Sequence, residues 1–383
     1  MPPRETDVQG RSQLRALTGL RFVAALHVVI FHCTSWESWP VPTFVRSVAG
    51  SGYVAVSLFF VLSGFILTYA HAGKGARPLD RKRFYVNRFA RIYPAYAFAL
   101  ALVAPFYFVH TFRVDGVAVL ARGAVAVVTL TQAWWPPVAM AWNPPGWSLS
   151  AEAFFYGLFP LVAPALVAGR RSMVWGVGIA CYAFCLAVPL VYMRLAPDGP
   201  IELTHTSTAF WLSVVRYNPA VRFPEFVIGI VFARWYLEAR TSPTYGKGAA
   251  LTSLISAGAL LAVTTQAEGL PYPVLHNGLL APVFAVLITS LAAGRGPVAA
   301  ILATRPLVAL GDASYSLYLL HIPLVILWSK VTTFLLGESF HTSSGSTVGF
   351  VLSAVVASLL CHRYIELPMR DVVLRWWTAA RPP

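Results

Sequence analysis

Residues 14–36, LRALTGLRFVAALHVVIFHCTSW, decide the fold of this chain. The segment is apolar enough and long enough to span a bilayer, which takes about 20 mostly apolar residues. It nevertheless contains Arg21, His27 and His32, although ionisable side chains are costly inside a membrane helix. Arg21 and His32 project from one face of a helix, on the order of 16 Å apart along its axis, whereas His27 faces elsewhere. We therefore predict a transmembrane helix with a polar track along one side.

The composition extends this prediction to the whole chain. Of the 383 residues, 57% are hydrophobic and only 11% are charged, against about 25% charged residues in a typical soluble domain. The apolar residues also come in repeated blocks of membrane-spanning length. We therefore predict an all-α, polytopic transmembrane helix bundle with about ten crossings. The predicted crossings are residues 14–36, 51–71, 89–110, 148–168, 172–193, 223–238, 249–267, 275–293, 313–336 and 346–365.

Short basic segments between the apolar blocks predict the orientation. Lys and Arg accumulate on the cytoplasmic side of membrane proteins, and the densest basic run covers residues 74–91. If the segment 114–133 crossed the membrane, the basic residues that follow it would lie on the outer side. We therefore predict that it does not cross and forms a re-entrant or interfacial element. Both termini are then cytoplasmic. Residues 1–13 and 367–383 are the tails of a single membrane domain, 14–366, in the plasma membrane.

The net charge of +14 does not predict nucleic-acid binding, because the positive charges are distributed between membrane segments. The expected partners are the lipid bilayer and an anionic cytosolic substrate. The four cysteines lie in or beside apolar blocks without a CxxC pair, so we expect buried thiols and no metal site. The sequence also lacks the GxSxG, HExxH and Walker patterns that are typical of hydrolases, metalloproteases and ATPases.

Arg21 and His32 are the first candidates for chemistry. A neutral imidazole can take a proton from a hydroxyl near neutral pH, so His32 is a candidate general base, unless a neighbouring carbonyl or headgroup satisfies it. Arg21 either binds a phosphate or carboxylate, or extends towards the cytosolic interface as an anchoring cation. Their common helical face favours a shared function.

Two further motifs place charges at the starts of helices. NRFARIYP puts Arg88 and Arg91 on one helical face, where they either bind an anion or mark the cytoplasmic side. WSLSAEAFFYGLFP puts Glu152 among aromatic residues, where its carboxylate either complements the helix dipole or pairs with Arg or His of the first helix. We favour a functional role for Glu152.

The carboxyl-terminal part adds two possible site residues. DASYSLYLLHIPL places Tyr318 and His321 on one helical face. A structural hydrogen bond is the simpler interpretation of His321. Glu225, in PEFVIGI, and Glu366, in YIELP, are expected to be helix-terminus or ion-paired carboxylates.

Together these motifs resemble the acyltransferase-3 family of integral membrane O-acyltransferases. The matching pieces are LRALTGLRFVAALHVVIFH, FFVLSGFIL, NRFARIYP, WSLSAEAFFYGLFP, SYSLYLLHIPL and YIELP, in the family's order. We expect a stand-alone member, without the hydrolase-like domain that is fused to some relatives. The resemblance implies transfer of an acyl group, usually acetyl, from acyl-CoA to a hydroxyl of a sugar, a glycan or a natural product such as a macrolide.

The resemblance also implies roles for individual residues. The first-helix signature of the family falls on Arg21 and His32, and the glutamate of its WSL motif falls on Glu152. Its Arg-x-x-Arg element falls on Arg88 and Arg91, which would bind acyl-CoA. Acyl-CoA enters as the donor substrate, and we expect no bound cofactor. His32 would either deprotonate the acceptor or carry the acyl group transiently.

A small-molecule transporter or exporter is the alternative function. Buried arginine, histidine and glutamate side chains would suit a substrate path through a membrane. However, we detect no internal sequence repeat, which many transporters have. The ordered set of motifs therefore favours the acyltransferase.

Overall fold

A computed structural model describes residues 14–33, 41–72, 79–336 and 344–379. The predicted amino-terminal tail, the first part of the basic run and residues 380–383 lie outside these ranges. The described residues form helices and turns without a strand. The prediction of an all-α, polytopic helix bundle is confirmed.

The α-helices follow one another along the whole described chain. They are α1 (Arg15–Cys33), α2 (Thr43–Gly50), α3 (Ala55–Ala72), α4 (Arg81–Val114), α5 (Val117–Val128), α6 (Gly146–Ala168), α7 (Arg171–Leu195), α8 (Phe210–Tyr217), α9 (Pro219–Ala239), α10 (Pro243–Thr264), α11 (Tyr272–His276), α12 (Ala281–Ala292), α13 (Pro297–Leu302), α14 (Arg305–Asp312), α15 (Ser314–Leu336), α16 (Ser344–Cys361) and α17 (Leu367–Ala379). A π-helical turn at His362–Glu366 joins α16 to α17.

Nine helical stretches of the described chain are long and apolar enough to cross a membrane. They are Arg15–His32, Thr43–His71, Arg81–Val114, Gly146–Ala168, Arg171–Leu195, Thr244–Thr264, Tyr272–Ala292, Ser314–Phe334 and Ser346–Ala379. Spans of this length and hydropathy are the hallmark of an integral membrane protein.

Helix α9 contains the predicted crossing 223–238 but is not among these nine stretches. Its 21 residues include Arg222, Glu225 and Arg234. The helix is nevertheless enclosed by the bundle, and every residue from 224 to 231 is buried. Charged residues are accommodated in this helix because protein, rather than lipid, surrounds them.

The segment 114–133 forms no crossing of its own. Helix α5 has 12 residues, which at about 1.5 Å per residue reach only part of a hydrocarbon core of about 30 Å. Two 3-10 turns, Gln132–Trp134 and Pro136–Val138, follow it. The short helix agrees with the predicted re-entrant or interfacial element.

Helices α3 and α9 pack backbone to backbone at the centre of the bundle. A Cβ atom at Gly64 would lie 2.0 Å from the carbonyl oxygen of Phe226, and one at Gly229 would lie 2.0 Å from that of Val61. Membrane helices commonly associate through such small residues, because lipid gives them no hydrophobic drive to pack. Helix α1 packs beside α3 and against α14 and α15, which turns its polar face towards other helices.

Candidate active site

Helix α1 carries its polar track into the bundle. Arg21 lies within electrostatic range of Glu152 and Glu366, which belong to other helices. The ring centroid of His32 lies 5.1 Å from that of His321. The two ends of the track therefore meet motifs from distant parts of the chain.

His27 faces away from the track, as the helical spacing predicts. Its Nε2 atom lies 2.6 Å from the backbone oxygen of Val48, to which it donates a hydrogen bond. This contact ties α1 to α2 and gives His27 a structural role.

The His32 imidazole is exposed and has a defined tautomer. Its Nδ1 atom lies 2.9 Å from the backbone oxygen of Val28. Because a carbonyl oxygen only accepts hydrogen bonds, Nδ1 carries the proton of the neutral ring. The lone pair of Nε2 is then available to take a proton, which is what a general base requires.

The ring of His321 packs against the ring of His32. It is 0% exposed, and its Nδ1 atom donates to the backbone oxygen of Tyr318 at 2.7 Å. Its Nε2 atom is buried and has no hydrogen-bond partner within the described residues. Buried polar atoms normally have a partner, so this nitrogen is a candidate for contact with a substrate or with His32.

The motif around Trp147 and the motif around Tyr318 come together in space. The Tyr318 hydroxyl lies 2.8 Å from Ser148 Oγ, and Ser148 Oγ donates to the backbone oxygen of Pro145 at 2.9 Å. The rings of Tyr318 and His321 are 5.9 Å apart. Tyr318 therefore links the start of α6, through its hydroxyl, to His321, through its backbone oxygen.

Glu152 faces the opposite end of the track. The charges acting on its carboxylate are Arg21 and Arg88, and the nearest hydroxyls are those of Tyr156 and Ser63. Those two hydroxyl oxygens lie 3.2 Å apart. The suggestion that an arginine of the first helix accompanies Glu152 agrees with this arrangement.

Arg88 lies against two aromatic rings and within electrostatic range of Glu152. Its guanidinium carbon lies 6.0 Å from the ring centroid of Phe84 and 5.9 Å from that of Tyr156. Its Nε atom is buried without a hydrogen-bond partner, and no ion pair of Arg88 occurs in the described part of the chain. Arg88 is thus a cation with unused hydrogen-bonding capacity.

Arg91, by contrast, forms an ion pair with Glu366. Glu366 is 1% exposed, accepts a hydrogen bond from Ser316 Oγ at 2.8 Å, and lies 3.0 Å from Nδ1 of His362. The π-helical turn places Glu366 and His362 on one side of the chain, and such turns often occur at functional sites. The two arginines of NRFARIYP therefore share a helical face but not a chemical environment.

Both carboxylates that the sequence assigned to ion pairs or helix termini are ion-paired. Glu366 pairs with Arg91, and Glu225 pairs with Arg222 at 3.0 Å. The first pair joins residues from opposite ends of the chain, so its partner could not be read from local spacing.

A cluster around Arg222 was not anticipated. Arg222 is 0% exposed and donates to Ser57 Oγ at 3.1 Å, to His276 Nδ1 at 2.7 Å and to Asn277 Oδ1 at 2.8 Å. Its guanidinium carbon also lies 5.4 Å from the ring centroid of Phe60 in α3 and 5.8 Å from that of Trp147 in α6. The i, i+3 spacing of Arg222 and Glu225 in an apolar helix was the available signal.

The segment between α7 and α8 lies near the His32 end of the track. Arg216 donates to the backbone oxygens of Ser207 and His205, each at 2.8 Å. The His205 ring lies 5.0 Å from the ring of Phe31, the residue before His32. This segment therefore approaches His32 from the end of the bundle opposite Arg21.

Over the described ranges, no group of three or more His, Cys, Asp or Glu side chains could hold a metal ion. Cys181, Cys185 and Cys361 are free thiols, and the last two are buried.

Comparison with known proteins assigns the chain to a family. The family model described as "Acyltransferase domain" matches residues 14–363, almost the whole chain. The chain belongs to the acyltransferase-3 family. It is an integral membrane O-acyltransferase, and the resemblance noted in its motifs is confirmed.

The curated relatives agree with this assignment. The chain is 32% identical to Acyltransferase MdmB of Streptomyces mycarofaciens, over 100% of this chain and 97% of the relative. It is 26% identical to Exopolysaccharide production protein ExoZ of Rhizobium meliloti, over 83% and 89%. O-acetyltransferase OatA of Staphylococcus aureus is 24% identical over 93% of this chain and 57% of the relative. No solved structure matches.

The candidate site has two chemically different ends. The His32 end offers an unprotonated imidazole nitrogen beside a second imidazole. The Arg21 end offers two guanidinium groups around one carboxylate. Acyl transfer to a hydroxyl needs both proton removal and charge stabilisation, and the two ends carry side chains of these two kinds.

Proposed function

We propose that this acyltransferase moves an acyl group, acetyl being the expected one, from acyl-CoA to a hydroxyl of a sugar, a glycan or a natural product such as a macrolide. The observation that carries the proposal is the His32 imidazole, whose Nε2 lone pair is open while Nδ1 is tied to Val28. The names of two relatives, an exopolysaccharide production protein and an O-acetyltransferase, support a glycan acceptor and an acetyl donor.

The donor binds through the basic end of the track. Coenzyme A carries several phosphates, and guanidinium groups bind phosphate with directed hydrogen bonds. Arg88 and Arg91 are the proposed acyl-CoA residues, with Arg88 contacting phosphate directly because Arg91 already pairs with Glu366. Arg21, farther along the track, guides the thioester towards His32.

The transfer step uses His32 as the base. Its Nε2 atom takes the proton of the acceptor hydroxyl while the hydroxyl oxygen attacks the thioester carbonyl carbon. The carbon–sulfur bond then breaks, and the coenzyme A thiolate leaves and recovers a proton from the imidazolium. Transient acylation of His32, followed by transfer to the acceptor, is the second route with the same balance.

Three other residues support this step. Glu152 offsets the positive charge of Arg21 and Arg88 and orients the reacting groups. Tyr318 and His321 are possible participants, since His321 packs against the base and Tyr318 holds the carbonyl that fixes the His321 tautomer. The enzyme needs no bound metal or cofactor for this route.

The proposed setting is the plasma membrane, with both termini of the domain 14–366 in the cytoplasm. Acyl-CoA then reaches the Arg88 end from the cytosol. The remaining partners are the acceptor and the lipid bilayer, with no nucleic acid.

The test is acyl transfer by the purified enzyme in detergent, with labelled acetyl-CoA and separate panels of glycans and macrolides. Turnover without vesicles or a gradient is expected, which a transporter would not give. His32→Ala should abolish transfer, and His27→Ala, on the other face of α1, should retain it. Transfer by the His32→Ala protein at the wild-type rate would overturn the assignment of the base.

A further inference from the structure

A separate cavity lies between α7, α9, α10 and α12. Its volume is about 630 Å³, within the range of small-molecule sites. Four aromatic side chains, Trp175, Phe232, Trp235 and Tyr245, form much of its wall. None of the residues of the proposed active site lines it.

Two residues of the aromatic wall are fixed by contacts of their own. The rings of Trp235 and Tyr245 meet edge to face at 5.6 Å, and the Tyr245 hydroxyl donates to the backbone oxygen of Thr289 at 2.6 Å. On α10, a Cβ atom added at Gly248, a residue of the cavity lining, would have no atom within 4 Å. The cavity is therefore a groove between α9 and α10 that protein does not fill.

Positive charge surrounds one end of the groove. A smaller cleft that contains Arg171, Arg234 and Glu238 shares two tryptophans with the groove. Arg234 pairs with Glu238, whereas Arg171 and Lys247 are exposed and form no ion pair among the residues that the structure describes. Lys247 immediately precedes Gly248 of the groove lining. An apolar groove thus ends at a rim with net positive charge.

We propose that this groove binds an anionic phospholipid. One acyl chain lies between α9 and α10, and the phosphate lies at the rim of Arg171, Arg234 and Lys247. Basic pockets between transmembrane helices bind anionic headgroups, and tryptophan and tyrosine favour the depth at which headgroups meet hydrocarbon. The lipid site is independent of the proposed reaction, because it uses none of its residues.

Native mass spectrometry of the full-length protein, delipidated in detergent, tests the site. Phosphatidylglycerol and phosphatidylcholine with identical acyl chains are titrated in parallel. We expect one phosphatidylglycerol to be retained in preference to phosphatidylcholine. Gly248→Phe fills the groove and should lose this lipid, whereas Gly258→Phe, on the same helix and also facing open space, should keep it.

The rim is tested with charge variants. Arg171→Gln combined with Lys247→Gln should reduce the preference for phosphatidylglycerol roughly tenfold. Arg194→Gln, near the other end of α7, is the matched control and should leave the preference unchanged. Equal retention of the two lipids by the wild type, or equal retention of phosphatidylglycerol by the two phenylalanine variants, overturns the proposal. A change from dimer to monomer in Gly248→Phe also overturns it, since the groove would then join two copies of the chain.

Discussion

The bundle contains two kinds of internal arginine. Arg222 is enclosed, pairs with Glu225 and donates to three further side chains. Arg88 lies against the rings of Phe84 and Tyr156 and forms no ion pair in the described part of the chain. A guanidinium group has five N–H donors. The difference teaches that a cation whose donors are used by the protein stabilises the fold, whereas one with unused donors is available to an anionic substrate.

The largest expected effect comes from removing the enclosed cation. Arg222→Ala leaves Glu225 buried without its partner, which typically costs about 3–5 kcal/mol. Since folded proteins are stable by roughly 5–15 kcal/mol, the variant should lose most of its monodisperse yield. Size-exclusion chromatography after a temperature series measures this. Arg194→Ala, at an exposed position, is the control, and a variant at Arg222 that is as heat-stable as this control would break the comparison.

The second prediction concerns the cation with unused donors. Arg88→Gln should leave thermal stability nearly unchanged but raise the KM for acyl-CoA roughly 10- to 100-fold, because a charged hydrogen bond to phosphate is lost. The KM for the acceptor should hardly move. Arg83→Gln, on the same helix with an exposed side chain, is the matched control. An unchanged dependence on acyl-CoA would remove Arg88 from the donor site.

The smallest effect is expected for Arg91, which lies between the two classes. Its carboxylate partner Glu366 keeps two other contacts, with Ser316 and His362. A double-mutant cycle of Arg91→Gln and Glu366→Gln should therefore give a coupling energy of only about 1–2 kcal/mol in thermal or denaturant unfolding. Additive single effects would show that the ion pair contributes nothing to stability and would return Arg91 to the class of Arg88.

Helical spacing and hydropathy predicted much of this architecture. The polar face of α1, the departure of His27 from it and the short helix in 114–133 all follow from local rules. These features depend on residues that are close together in the sequence.

Long-range partners could not be predicted in the same way. The packing of His321 on His32 and the pairing of Arg91 with Glu366 join residues that are far apart in the chain. Periodicity places a side chain on a face but does not say which helix meets that face. The Arg222 cluster combines residues from α3, α9 and α11 with Asn277, so no single segment contains its pattern.

The glycine contact between α3 and α9 has a consequence for biosynthesis. Helix α9 carries four charged residues, Arg222, Glu225, Arg234 and Glu238, and each charged residue near the centre of a helix costs about 2.5–3.5 kcal/mol during insertion. Ser57 of α3 accepts a hydrogen bond from Arg222, and about two turns along both helices Gly64 and Gly229 let the two backbones touch. Helix α3 is synthesised before α9. It can therefore act as an intramolecular chaperone that packs against α9 during insertion and keeps the charged residues of α9 out of contact with lipid.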